Sequence, residues 1–169
     1  MVERDIACSL TAITDARMAA LEKVSHPLVA RKKGSRENIR NMIKAGATLL
    51  LATDALLKSQ DMLADWSHLM VNVDPEGKIG ESHFNVLVGL EDLGMGPMEI
   101  LKTATSNIAK SYKVDDKIGT LEPGKMADMV ILDKNPLRSA RNYRSIHKVI
   151  KEGQVVDIDA LPLVKHLTK

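Results

Sequence analysis

IGTLEPGKMADMVILDKNPL, residues Ile118 to Leu137, decides how the rest of this 169-residue chain is read. Pro123 presets the first central position of a turn and Gly124 supplies the positive φ of the second, so Glu122 to Lys125 is expected to form a type II turn. Met126 to Leu132 follows as a short apolar strand interrupted by Asp128, and Asn135-Pro136 stops it. Beyond it, Ile146 to Ile150 and Gln154 to Ile158 flank Lys151-Glu152-Gly153 in the pattern of a β-hairpin. The tail from Leu161 to Lys169 is too short to assign.

Upstream the periodicity changes. Ile6 to Ala12 is an apolar run suited to a buried strand, and Thr14 and Asp15 cap a helix with Met18, Leu21 and Val24 on one face, ended by His26-Pro27. Ser35 is placed to cap a second helix with the apolar face Ile39, Met42 and Ile43, and Gly46 stands where a left-handed cap is wanted. Ala47 to Thr53 is almost continuously apolar, as a parallel strand covered on both faces is, and Asp54 closes it. From Ala55 to Ser82 a long excursion is expected, with one helical turn around Met62 to Met70. His83 to Leu93 has helical spacing through Val86, Leu87 and Leu90. Pro97 then opens another helix whose buried face is Leu101, Ala104, Thr105 and Ile108.

The composition, 44% hydrophobic and 27% charged, is that of a globular body. A net charge of +2 with one Trp, one Phe and two Tyr leaves little with which to stack bases, so nucleic acid is not expected as a partner. The run Arg31-Lys32-Lys33 reads as a solvated turn before Gly34. No stretch approaches the roughly 20 apolar residues of a membrane span. Val2-Glu3-Arg4-Asp5 lacks the positive charge of a signal peptide, and the single cysteine, Cys8, suits a reducing compartment. The expected location is the cytoplasm.

Residues 118–137, together with the segments NMIKAGATLLLATDA and HFNVLVGLEDLGMGPMEILKTATSNIAKSY, resemble the metal-dependent amidohydrolase superfamily, imidazolonepropionase-like and prolidase-like enzymes among them. The resemblance implies an α/β fold: the last strands and helices of a (β/α)8 barrel at 1–113, strands of the accompanying small β-sandwich at 114–160, and a tail at 161–169. A complete barrel takes about 250 residues, so an incomplete one is expected here. In the family the aspartate following Thr at the end of the eighth strand is a metal ligand and proton shuttle, and that place falls on Asp54. A strand-end Asp can otherwise cap the following helix.

Two histidines join Asp54 as substrate-binding candidates. His68 lies in the excursion where relatives contact substrate. His83 begins a segment that in many relatives reads His-Arg-Glu but here reads His83-Phe84-Asn85; a histidine opening a helix otherwise makes a backbone hydrogen bond. Asn107 and Thr105 are expected to pin their helix to the β part. His26, His147 and His166 read as surface or loop histidines, and Glu91-Asp92 and Asp115-Asp116 as solvated charges.

The chain has no His-x-His pair, and a hydrolytic zinc site needs about three protein ligands with an open position. The resemblance therefore implies the C-terminal portion of a hydrolase of non-aromatic or cyclic C–N bonds in small-molecule amides, lactams or imino-dipeptides. Its divalent metal, zinc, would be held weakly or not at all by this polypeptide alone. The other reading is a catalytically incompetent structural or oligomerisation module. Both leave strand edges unpaired, so a homo-oligomer or a complementary N-terminal half is expected as partner.

Overall fold

The computed structural model describes residues 6–53, 81–158 and 160. Strand β1 (Cys8–Leu10) pairs in parallel with β2 (Leu49–Leu51), Cys8 opposite Leu49 and Leu10 opposite Leu51. Between them run α1 (Asp15–Lys23) and α2 (Val29–Lys44). Then come α3 (Ser82–Asp92), α4 (Pro97–Thr103), α5 (Ser106–Ser111) and β3 (Met129–Leu132), followed by a 3-10 turn (Ala140–Arg144), β4 (Ile146–Lys151) and β5 (Gln154–Val155). The architecture is mixed α/β. Both expected parallel strands are shorter than their apolar runs, because Ala12 and Ala47 pack against the core without extending the ladder.

Local chemistry explains each helix end. Thr14 accepts from the Arg17 N–H at 3.1 Å and so caps α1. Met18 and Leu21 are buried, but Val24, expected on the same face, is already the C-cap and is exposed. Helix α2 starts six residues before the predicted cap Ser35, and so takes in the Arg31-Lys32-Lys33 run expected in a turn. A mid-helix glycine costs only about 1 kcal/mol relative to alanine, and burial of Arg36 and Ile39 carries the helix through Gly34. At its end Ala47 N–H reaches the Met42 carbonyl and Gly46 N–H that of Ile43, a Schellman closure with Gly46 at φ +67°. Helix α3 closes the same way on Gly94.

The single helix expected after Pro97 is broken at Ala104 and Thr105 into α4 and α5. Thr105 turns its hydroxyl back onto the Leu101 carbonyl at 2.8 Å, as threonine does where a helix bends. The break changes the buried face: Ile100, Thr103 and Ala109 are covered, while Leu101, Ala104, Thr105 and Ile108 are only partly so. One core joins Leu10, Ile39, Leu49, Val86, Leu90 and Ile100, and Ala140 of the 3-10 turn belongs to it. Among the described residues no helix is long and apolar enough to cross a membrane.

In the signature segment, Lys125 N–H closes the turn onto Glu122 at 3.2 Å with Gly124 at φ +90°. Strands β3, β4 and β5 form an antiparallel sheet, with β5 shorter than the predicted Gln154 to Ile158. Positive φ at both Glu152 and Gly153 gives the β4–β5 turn the primed geometry of a tight hairpin. Strand β3 begins at Met129, three residues later than expected, and Asp128 just before it accepts the Glu152 N–H at 2.7 Å and the Lys151 ammonium at 2.6 Å. Lys151, and next the Glu152 N–H, hold its carboxyl below the usual aspartate range, and Asp128 raises Lys151 in turn.

The contribution of this pair is therefore complete above the ordinary aspartate pKa and fades as pH falls through the lowered one; on the basic side it fades as pH rises through the raised lysine pKa. The protection of the Glu152 amide, its exchange rate relative to the intrinsic rate at the same pH, is expected to fall on acidification. In Asp128→Asn that pH-dependent loss of protection should be missing.

Candidate functional site

Parallel α/β sheets assemble their sites where strands end at the carboxyl side. Past β1, Ala12, Ile13 and Thr14 are buried; past β2, Ala52 and Thr53 are half-buried. Thr53 is the last described residue before Asp54, and both Asp54 and His68 lie outside the described residues. The third candidate, His83, is exposed in the first turn of α3. Among the described residues no group of three or more His, Cys, Asp and Glu is placed to hold a metal ion, so these residues by themselves do not fit one.

What the described residues do build is a rigid support for the strand ends. Arg36 is 4% exposed, and its guanidinium donates to the Ile13 carbonyl and to the Asp15 carboxylate. A buried guanidinium is tolerable only with such partners. Helix α3 backs the same loop so closely that a Cβ at Gly89 would stand 3.0 Å from the Ile13 carbonyl carbon and oxygen. Its last turn supplies Asp92, which accepts the Asp15 N–H at 2.7 Å, a carboxylate at the positive end of α1. Glu91 accepts from Ala140 N–H at 2.8 Å and from the Ser139 hydroxyl at 3.2 Å. The expectation that Glu91-Asp92 is merely solvated is corrected: one acid holds the loop after β1, the other the start of the 3-10 turn.

Asn107 also has a different partner from the one expected. Its amide donates to the carbonyl of Leu49 in β2 at 3.1 Å, and Thr105 bonds only within its own helical segment. Arg144, which the sequence did not single out, stacks over the Phe84 ring at 4.8 Å and donates to Asn85 at 2.8 Å and to Glu81. The two residues that depart from His-Arg-Glu thus form the seat of an arginine from the β part. The Tyr143 hydroxyl beside it is buried with no hydrogen-bond partner among the described residues, and burial pushes its pKa up.

The remaining histidines separate by environment. His26 is buried rather than on the surface, and its Nδ1 accepts the Leu28 N–H at 3.1 Å. His147 is exposed and faces Asp133 at 3.1 Å, while His166 lies outside the described residues. An open groove of about 570 Å³ between α1 and α2 includes Lys33 and Arg40, but these are matched by Glu22 at 2.8 Å and Glu37 at 3.6 Å. It offers an anion little.

Known proteins resemble this chain in sequence and in fold. A family model described as the Amidohydrolase family matches residues 8–156. The adenine deaminase of Desulforamulus reducens is 28% identical over 138 residues, 79% of this chain and 22% of that protein. The imidazolonepropionase of Geobacillus sp. is 31% identical over 122 residues, 70% of this chain and 25% of that protein. Among solved structures, molinate hydrolase superposes with a TM-score of 0.87 at 33% identity, over 99% of this chain and 36% of that one. Phenylurea hydrolase B gives 0.83 at 37% identity, over 96% and 37%. The chain thus spans 22% to 37% of the length of these four proteins.

The support is testable apart from any chemistry. Arg36→Ala, which strands the Ile13 carbonyl, is expected to lower the free energy of unfolding in urea by about 2 kcal/mol. Gly89→Ala should cost about 1–3 kcal/mol by overpacking against Ile13. At Gly34 a Cβ meets nothing within 4 Å, so Gly34→Ala should be neutral or stabilising by up to about 1 kcal/mol.

Proposed function

The chain belongs to the amidohydrolase family, and from that membership we propose that it is the C-terminal portion of a metal-dependent hydrolase of C–N bonds in which Asp54 carries the proton. The observation behind this is that the family match covers residues 8–156 and so includes Asp54, three residues past the strand β2 that α3, α4 and α5 support. The relatives supply the reaction class: deaminases and an imidazolonepropionase by sequence, and hydrolases of molinate and phenylurea by structure.

In this proposal the Asp54 carboxylate takes the proton of the attacking water and delivers it to the departing nitrogen, so that the nitrogen leaves as a neutral amine. Members of the family generally use divalent metals; the metal, zinc in this proposal, supplies Lewis acidity, and Asp54 is the ligand this chain brings to it. His68 and His83 are proposed as groups that contact substrate, a small non-aromatic or cyclic amide, lactam or imino-dipeptide. The single thiol, Cys8, is compatible with a cytoplasmic setting.

The test is hydrolysis of phenylureas and simple amides by the chain combined with zinc and the remainder of an amidohydrolase. Asp54→Asn preserves shape and removes the base, and it is expected to lower kcat/KM by about 10²–10⁴-fold with unchanged circular dichroism. Undiminished turnover in Asp54→Asn would end the assignment.

A further inference from the structure

The two parallel strands divide their side chains between two faces. Cys8, Leu10 and Ala12 along β1 and just past it, and Ala47, Leu49 and Leu51 leading through β2, all belong to the main core or pack against it. They are every second residue, as a pleated backbone requires. Neighbours in register lie on the same face, and Cys8 stands opposite Leu49, Leu10 opposite Leu51. The residues between them, Ser9, Thr11, Leu50 and Ala52, therefore share the other face, turned away from the core. Ser9 is exposed there, while Thr11, Leu50 and Ala52 are half-buried. Ala52 N–H donates to the Leu10 carbonyl at 3.2 Å, which carries the register one step on and sets Thr11 beside Ala52 at the carboxyl end of the pair.

Thr11 is the polar side chain that this face brings to that end. Thr14, three residues on, uses its hydroxyl to cap α1, but the Thr11 hydroxyl has no hydrogen-bond partner among the described residues. It can donate one bond and accept others. Around it Ser9, Leu50 and Ala52 carry no charge. A carboxylate set against this face would lose water and gain no counter-charge, so the group that fits is neutral. Resting on the reading of the chain as part of a hydrolase whose chemistry lies past β2, we propose that Thr11 is a substrate-contacting residue. Its hydroxyl donates to the oxygen of an uncharged amide or urea, and Ala52, with a side chain of one methyl, leaves room beside it.

The probe is a phenylurea, hydrolysed by the full chain combined with zinc and the remainder of an amidohydrolase. Thr11→Val removes the hydroxyl and keeps the β-branched shape, so unfolding in urea should be unchanged. A lost hydrogen bond to a neutral group is expected to raise KM by about tenfold with kcat little altered, the mark of a contact made alike in ground and transition states. Thr11→Ser keeps the hydroxyl and should stay close to the parent. Ser9→Ala, two residues further from the strand end, should leave both constants where they are. A KM indifferent to Thr11→Val, a fall in kcat alone, or a loss that Thr11→Ser shares in full would each overturn the proposal. The two readings fail separately. Turnover that Asp54→Asn abolishes and Thr11→Val leaves untouched removes the threonine and keeps the hydrolase reading; turnover that survives Asp54→Asn but needs the Thr11 hydroxyl does the reverse, and no turnover by the unsubstituted chain removes both.

Discussion

The structure depends on how β2 is held from behind. Leu49 has no exposure at all; α3, α4 and α5 all pack on its strand, and its carbonyl is bonded by Asn107. A three-residue parallel pair has too few ladder bonds to be stable alone, so the strand is positioned by the helices rather than by its neighbour in the sheet. Burial of one leucine contributes about 2 kcal/mol, and the amide–carbonyl bond adds about 1 kcal/mol net. More important is direction. The hydrophobic contact fixes where the strand lies, while the hydrogen bond fixes its rotation, and with it which way its end points.

Helix α3 transmits that placement to both halves of the chain. Its middle, Val86 to Leu90, is buried without interruption, and Gly89 lets the loop after β1 approach as backbone against helix. Its last turn then works through charge. Asp92 receives the first N–H of α1 and Glu91 the first N–H of the 3-10 turn, so two adjacent acids anchor segments that precede and follow the helix in sequence. Neither bond lies deep in the interior, yet each satisfies an orphan donor at the start of a helical segment, the groups most in need of a partner.

Much of this is legible from local chemistry, and several of the failures share a cause. Turn and cap positions at Thr14, Gly46, Pro97 and Pro123-Gly124 depend on φ preferences or on hydrogen bonds to immediate neighbours, and all stand where the sequence put them. Errors came where a distant residue decides. Ser35 looked like a cap, but Arg36 is drawn inward by Ile13 and Asp15, 23 and 21 residues away, and the helix continues through it. Glu91 and Asp92 looked solvated because their partners are 49 and 77 residues off. Asn107 was assigned to the wrong half for the same reason. Of the candidate site, Asp54 and His68 lie outside the described residues.

Phe84 and Asn85 have a structural use of their own at the start of α3. An arginine and a glutamate in these places would set like charge against Arg144 at the first and opposite charge at the second. Here a ring presents its face to the guanidinium and an amide oxygen accepts from it, while Glu81 supplies the charge from one turn earlier. Stacking on an aromatic face and a bond to a neutral amide are each weaker than a bidentate ion pair. Together they leave the ion pair with Glu81 to carry the electrostatic attraction. The union of the β part with α3 is thus centred on Arg144.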